Sequence, residues 1–272
     1  MYTQRKNITA IMTLLVAGLA LFSALKGLLD SRVYEEVRQT GAISQFLVTG
    51  SLAQDIVSVP LGLILAALSL AYLRFRRDKI FIVMLGLTAY SFYGYALYTI
   101  QGQYTSIYPV YLAIFGLSIY SLIMGLLSFN FNGQNDYQLP KAVRIGISGF
   151  LLMILLVLIP VWWMKMSADI ANHLPGETYG VFILDLGIVF PALAITAVKL
   201  LQNRSVGYVL GGVGLLKVLT ICLSVGFGEL FQAFNGRNPL DFGMLGIFGS
   251  LTLISLGFFF SYIMKLRINP SV

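Results

Sequence analysis

Long apolar stretches separated by short polar turns run along the whole chain. A helix needs about 20 residues to cross roughly 30 Å of hydrocarbon. Eight stretches have that length, at about 8–29, 46–74, 80–100, 107–129, 142–166, 177–201, 205–232 and 241–266. Lipid offers backbone polar groups no partners, and the runs are too continuous for the alternating strands of a barrel. The pattern therefore predicts eight transmembrane helices.

The predicted fold is an all-α, polytopic transmembrane helical bundle that forms a single domain over residues 1–272. The second and third predicted helices are joined only by 75–79, and the sixth and seventh only by 202–204. Such short connections predict that helices adjacent in sequence are antiparallel neighbours. The longest polar gaps are 30–45 and 130–141, and neither contains a linker or a low-complexity stretch.

The two halves of the chain, 1–130 and 142–266, share a weak internal pattern. A proline follows Asp55 after five residues and Asp185 after six, and a basic turn comes next in both halves. This repeat predicts two four-helix halves in parallel orientation, related by an axis along the membrane normal. The predicted site then lies between the halves.

The composition supports a membrane protein and excludes some kinds of disulfide and metal site. Only 11% of the 272 residues are charged and 58% are apolar, with a mean hydropathy of +0.84, whereas soluble domains carry about 25% charged residues. Cys222 is the sole cysteine and His173 the sole histidine, which excludes an intrachain disulfide and metal sites built on two histidines. We predict no resident metal, no cofactor and no catalytic residue.

Basic residues are distributed unevenly between the two sides of the predicted bundle. The side of the N-terminus carries twelve: Arg5, Lys6, Arg74, Arg76, Arg77, Lys79, Lys141, Arg144, Lys199, Arg204, Lys265 and Arg267. The opposite side carries five: Lys26, Arg32, Arg38, Lys165 and Arg237. Because basic loops stay in the cytoplasm, this bias predicts a protein of the inner (cytoplasmic) cell membrane with both termini cytoplasmic. The alternative is cleavage of the first span as a signal sequence, which leaves seven spans and an external N-terminus.

Three ionisable residues lie well inside predicted spans: Asp55, Asp185 and Lys217. Each costs about 2.5–3.5 kcal/mol near a helix centre, so such residues usually face the bundle interior and mark functional sites. The predicted topology places both aspartates in the outer half of the membrane and the lysine near its middle, so one cluster can hold all three. One lysine does not neutralise two carboxylates. Asp55 is therefore expected to be protonated, to bind a cation or to lie in water.

Neutral polar side chains share helix faces with these three residues. The second predicted helix carries one polar stripe at helical spacing: Ser51, Gln54, Asp55, Ser58 and Gly62. The third and fourth predicted helices are rich in tyrosine. We therefore predict a tyrosine-lined cavity that opens outward and binds a substrate or ion through Asp55, Asp185, Lys217, Gln54, Tyr93, Tyr95 and Tyr111.

Two structural alternatives apply to parts of this predicted site. Tyrosines near the outer boundary are typical of the aromatic belt at a membrane interface, and this interpretation is favoured for Tyr98, Tyr104 and Tyr108. Asp185 and Lys217, on adjacent predicted helices, also fit a purely structural ion pair.

Three short motifs resemble those of a group of uncharacterised bacterial multi-pass integral membrane proteins of similar length. The motifs are Gln54-Asp55, Leu184-Asp185-Leu186-Gly187 with Pro191, and Gly207-Tyr208 leading to Leu216-Lys217. The resemblance extends from the second to the seventh predicted helix. It implies a bacterial multi-pass membrane protein but does not imply any particular activity.

The sequence favours a small-solute or ion transporter whose polar site lies in the outer half of the bundle. The alternative is a membrane sensor, a receptor-like protein or an assembly and binding module. A membrane-embedded enzyme comes third, because no nucleophile–base pair is apparent. The expected partners are the lipid bilayer, a small polar solute or cation, and other protomers or subunits that pack on small-residue helix faces. Nucleic acid is not expected, although the net charge is +7.

Overall fold

All eight predicted spans are helical in the computed structural model, which describes residues 2–131, 137–235 and 239–268. The helices are α1 Tyr2–Leu29, α2 Arg32–Gln39, α3 Gln45–Phe75, α4 Asp78–Ile100, α5 Tyr108–Leu126, α6 Lys141–Asn172, α7 Tyr179–Leu184, α8 Phe190–Leu201, α9 Ser205–Phe234 and α10 Phe242–Lys265. Eight helical segments are long and apolar enough to cross a membrane, and the sixth of them combines α7 and α8. The chain is a multi-pass membrane protein with an all-α fold.

The polar gap at 30–45 contains a short helix that the span pattern does not predict. Val33, Tyr34 and Val37 are buried on one side of α2. They recur at positions i, i+1 and i+4, which is helical spacing on a segment too short and too polar to register as a span. The fold therefore has an extra helical layer at the end of α1.

The sixth span is interrupted by a π-helical turn over Asp185–Val189, between α7 and α8. In this turn the Phe190 N–H reaches back to the Asp185 carbonyl. Pro191 follows immediately and has no N–H to donate, so the regular ladder cannot run unbroken through this segment. By contrast, α3 continues through Pro60 as one helix.

The helices form two compact units, each with its own packing. The first unit comprises Met1–Phe129 and Leu216–Leu256; in it α1 packs on α3 and α5, and α4 packs on the same two helices. The second comprises Asn130–Leu215 and Gly257–Val272, where α6 packs against α8. The repeat of two four-helix halves stays a prediction.

A two-stranded sheet ties two distant segments of the second unit. β1 (Tyr137–Gln138) pairs antiparallel with β2 (Arg267–Ile268), so the loop before α6 meets the segment after α10. Four spans separate these segments, and an even number of crossings returns the chain to the same side of a membrane. The pairing thus agrees with the predicted topology. The cytoplasmic orientation itself stays a prediction, and Arg237 lies outside the described residues.

Candidate functional site

Asp55 is completely buried at the middle of a tyrosine cluster in the first unit. Its side chain projects from α3, and both carboxylate oxygens accept hydrogen bonds. The Tyr34 hydroxyl, from α2, donates to Oδ2 at 2.5 Å. The Tyr98 hydroxyl, from α4, donates to Oδ1 at 3.2 Å. Three separate elements therefore converge on one carboxylate.

Gly27 closes the site from the side of α1. A Cβ atom built at Gly27 would overlap Oδ2 of Asp55 and would lie 2.8 Å from the Tyr34 hydroxyl oxygen. Only a residue without a side chain lets the α1 backbone come this close. The carboxylate is thus enclosed by a helix backbone on one side and by phenol rings on the others.

The electrostatics of the cluster are unusual for a buried acid. Among the described residues, the hydrogen bonds and ion pairs of Asp55 come from Tyr34 and Tyr98 alone, with no basic side chain. A buried charge without a counter-charge is costly, and proteins avoid the cost by neutralising the group or by binding an ion. Of the three states expected for Asp55, the enclosure favours protonation or a bound ion over bulk water.

Tyr34 reaches Asp55 because α2 is held firmly over the end of α1. Asp30, between the two helices, bonds to both Lys26 and Arg32. The hydrogen bonds from Arg32 and Lys26 hold the pKa of Asp30 well below its usual value, so this link persists through the physiological range. Burial raises the pKa of Tyr34 well above its ordinary value, which keeps its phenol a neutral hydrogen-bond donor.

Three further hydroxyls line the same cluster without a hydrogen-bond partner in the described part of the chain. They belong to Ser23 of α1, Thr105 of the α4–α5 turn and Tyr111 of α5, and all three side chains are buried. The Tyr111 hydroxyl has those of Thr105, Tyr34 and Ser23 as close neighbours, but it makes no full hydrogen bond with any of them. Buried polar groups normally find partners. This arrangement leaves hydrogen-bonding capacity for a water or a polar ligand.

A second polar network starts at Gln54, the residue directly before Asp55 on α3. The Gln54 side-chain amide donates to the Tyr90 hydroxyl at 2.6 Å, and the hydroxyls of Ser58 and Ser224 lie 3.3 Å from the same oxygen. Gln54 fits because it crosses α4 at Gly94, where an added Cβ would meet its amide nitrogen at 2.9 Å. Tyr90 is therefore held by three polar partners. In the Asp55 cluster, by contrast, the hydroxyls of Ser23, Thr105 and Tyr111 make no full hydrogen bond within the described residues.

Lys217 and Asp185 occupy different surroundings. The ammonium nitrogen of Lys217 lies 4.1 Å from the centroid of the Tyr93 ring, a cation–π contact within the first unit. Asp185, at the start of the π-helical turn in the second unit, accepts a hydrogen bond from the Trp162 indole at 2.8 Å. The ion pair between Asp185 and Lys217 stays a prediction.

The predicted site residues thus divide among several local environments. Asp55 lies near Tyr95 and Tyr111; the Tyr95 hydroxyl donates to the Ala20 carbonyl and ties α4 to α1. The assignment of Tyr98 to an interfacial belt is wrong, because Tyr98 is buried and bonds to Asp55. Tyr104, by contrast, is 70% exposed, in keeping with a boundary position.

Sequence reasoning missed four residues of the site: Gly27, Tyr34, Ser23 and Thr105. For Tyr34 a signal was present in the apolar spacing of Val33, Tyr34 and Val37 within an otherwise polar gap. Ser23, Thr105 and Gly27 gave no such signal. Small and hydroxyl residues are common in membrane helices, and only the packing brings Gly27 against the carboxylate and Ser23 and Thr105 beside Tyr111.

Comparison with known proteins adds no relative. No protein-family model, curated protein or solved structure matches this chain. The resemblance to bacterial multi-pass membrane proteins accordingly stays a prediction, and the site is interpreted from its own geometry.

Removing the Tyr34 hydroxyl is expected to loosen α2. Tyr34→Phe leaves Oδ2 of Asp55 without its donor, and a buried hydrogen bond contributes about 0.5–1.5 kcal/mol. Local opening of α2 should therefore become more frequent, and trypsin should cleave the purified protein faster after Arg32 and Arg38. Tyr104→Phe, at an exposed ring, is the control and should leave the cleavage rate unchanged. Equal rates for both variants would show that this hydrogen bond does not hold α2.

Proposed function

We propose that this protein is a transporter of a small solute or an ion, with Asp55 as the proton- or cation-responsive group of its binding site. The site lies at the end of α3 nearer α2, which the predicted topology assigns to the outer half of the membrane. The protein is proposed to be in the inner cell membrane with both termini cytoplasmic.

The proposal depends chiefly on the surroundings of Asp55. A carboxylate that served only to hold helices together would be expected to pair with a basic side chain, since an unpaired buried charge destabilises the fold. Asp55 instead has phenol donors, each of which also suits a protonated carboxyl group. Intramembrane acids of this kind typically mark ion or substrate pathways.

The hydroxyls of Ser23, Thr105 and Tyr111 support the solute part of the proposal. All three are buried without a full hydrogen bond among the described residues. Ser23 and Thr105 lie beside Tyr111, and the Tyr111 ring packs on that of Tyr98. Small-molecule sites combine apolar and aromatic walls with a few convergent polar groups, which describes this cluster. Gln54 and Tyr90 extend the polar surface along α3.

Uptake into proteoliposomes tests the proposal. The probes are radiolabelled amino acids, sugars and monovalent cations, with a trapped pH-sensitive dye to follow proton movement. The wild-type protein should move at least one probe faster than protein-free vesicles do. Asp55→Asn should abolish that uptake, because it keeps the shape of the side chain and removes its ability to ionise.

The matched control for this experiment is Glu36→Gln. It makes the same change of charge at an exposed acid on α2, close in sequence to the site, and should transport at the wild-type rate. Uptake by Asp55→Asn at the wild-type rate contradicts the proposal. Failure of the wild-type protein to move any probe contradicts it too, provided that both proteins elute as single species on size exclusion.

A second function, an assembly or sensing module, is favoured by one observation on α10. Gly246 and Gly257 of α10 have nothing but the neighbouring α10 backbone within 4 Å of the position that a Cβ would occupy. Such open faces allow another helix to approach closely. Native mass spectrometry of the purified protein from membranes would favour this function if a stoichiometric partner or second protomer remained bound and Asp55→Asn bound it equally well.

A further inference from the structure

The Tyr98 hydroxyl lies between two acceptors. Its oxygen is 3.2 Å from Oδ1 of Asp55 and 3.1 Å from the backbone carbonyl oxygen of Ser51. The Ser51 carbonyl belongs to α3, where it accepts the N–H four residues later and keeps a second lone pair. A tyrosine has a single hydroxyl proton, so Tyr98 donates one full hydrogen bond at a time, although its oxygen can also accept one.

We propose that the Asp55 site binds a proton, and that Tyr98 switches its hydrogen bond between Asp55 and Ser51 as the proton enters and leaves. This inference rests on the proposed function and specifies the proton as the ion to which transport is coupled. Tyr98 is a positioning residue in this scheme, since it holds no transported proton itself.

Both protonation states are satisfied by the same heavy-atom positions. When Asp55 is ionised, Tyr34 donates to Oδ2 and Tyr98 donates to Oδ1. When a proton adds to Oδ1, the new O–H donates to the Tyr98 oxygen, and Tyr98 turns its own hydrogen to the Ser51 carbonyl. Tyr34 continues to donate to Oδ2 in both states. The only covalent bond made or broken is the carboxyl O–H bond; the Tyr98 hydrogen bond changes partner, and no heavy atom has to move.

A metal cation suits the site less well than a proton. Hard cations such as Ca²⁺ take about six to eight oxygen ligands, usually including several carboxylates or carbonyls. Asp55 supplies one carboxylate, and the described residues contain no group of three or more acidic, histidine or cysteine side chains able to hold a metal. The backbone at Gly27 also packs directly on Oδ2, which leaves little room there for an ion.

The groups that face Asp55 leave it as the single titrating acid of the cluster. From α2, α4 and α5 the titratable neighbours are tyrosines: Tyr34, Tyr90, Tyr95, Tyr98 and Tyr111. From α1 the neighbours are Gly27 and Ser23, which do not titrate. Phenols in such surroundings stay neutral at physiological pH. A single-proton titration is therefore expected.

Infrared difference spectroscopy of the purified protein in lipid tests this inference without any transported solute. Raising the pH should remove the C=O stretching band of a protonated carboxylic acid with the slope of one proton, and Asp55→Asn should lack that band. Tyr98→Phe should keep a titrating band but shift its position, because the acid loses its hydrogen-bond acceptor. Tyr72→Phe is the matched control: it removes a buried phenol at the opposite end of α3, and its band should coincide with that of the wild type.

Replacing choline chloride with sodium chloride at constant pH distinguishes a proton site from a sodium site. The band should be unaffected by sodium; loss of the band on adding sodium overturns the inference. So does a band that persists in Asp55→Asn, or one that Tyr98→Phe and Tyr72→Phe shift equally. A titrating Asp55 band in a protein that moves none of the uptake probes would refute the proposed transport function and leave the proton site in place.

Discussion

Gly27→Ala is expected to destabilise the protein and to disrupt the Asp55 site at the same time. The added methyl group would overlap Oδ2 of Asp55 and would come within 2.8 Å of the Tyr34 oxygen and 3.0 Å of its ring. Neither group can retreat freely, because Asp55 is held by Tyr98 as well and Tyr34 is anchored with α2. Overpacking of a filled interior costs about 1–3 kcal/mol. We expect uptake to be lost and the Asp55 infrared band to move.

The control for Gly27→Ala lies on the same helix. Gly18→Ala places a methyl group where no atom lies within 4 Å, and alanine favours a helix over glycine by up to about 1 kcal/mol. After stepwise heating in detergent, the Gly18 variant should stay monodisperse to a temperature equal to or above that of the wild type. The Gly27 variant should aggregate at a lower one. Equal behaviour of the two variants would show that α1 does not close on Asp55 as described.

The membrane helices were predictable from sequence because one physical requirement defines them. A span must be long and apolar whatever it packs against, so the run lengths alone place the helices to within a few residues at most ends. The short helix α2 meets a different requirement. Its apolar side covers the end of the first unit, and Val33, Tyr34 and Val37 acquire that role only through tertiary contact.

The sequence predicts Asp55 as a site residue but does not predict that Tyr34 and Tyr98 bond to it. Asp55 is recognisable as a site residue from sequence alone. An acid within a transmembrane segment costs free energy on insertion, so such residues usually mark functional sites. Its partners are tyrosines on other elements, and a tyrosine near a helix end fits an interfacial position equally well. Tyr98 and Tyr104 are six residues apart, yet one is buried against Asp55 and the other is 70% exposed. The packing of the helices determines which of the two tyrosines is buried and which is exposed.

The two proline-containing spans show how one residue of spacing changes local structure. Asp55 and Pro60 are five residues apart, and α3 continues through both as a regular helix. Asp185 and Pro191 are six residues apart, and a π-helical turn begins at Asp185. A π turn contains one residue more than an α turn. The π turn therefore accommodates the one residue by which the Asp185–Pro191 spacing exceeds the Asp55–Pro60 spacing. The slip of one residue between the two sequence patterns therefore has a structural counterpart in the second.

In the second unit, Gly207→Ala is expected to have the largest effect of any glycine substitution on stability. A Cβ at Gly207 would lie 2.5 Å from the carbonyl carbon of Lys199 and 2.6 Å from the backbone nitrogen of Leu200. These are main-chain atoms at the end of α8, and they cannot rotate away as a side chain can. The α8–α9 turn must therefore open, at a cost at or above the upper end of the usual 1–3 kcal/mol for overpacking.

Two other glycines of the second unit calibrate this expectation. Gly211, one turn further along α9, would bring its Cβ to 3.3 Å from a methyl carbon of Leu200, a flexible side chain, so Gly211→Ala should be close to neutral. Gly149 of α6 meets no atom within 4 Å, and Gly149→Ala should match or exceed the wild type. The temperature at which half of each purified variant remains monodisperse should rise in the order Gly207, Gly211, Gly149. A Gly207 variant as stable as the Gly149 variant would mean that α8 and α9 do not approach each other at this point.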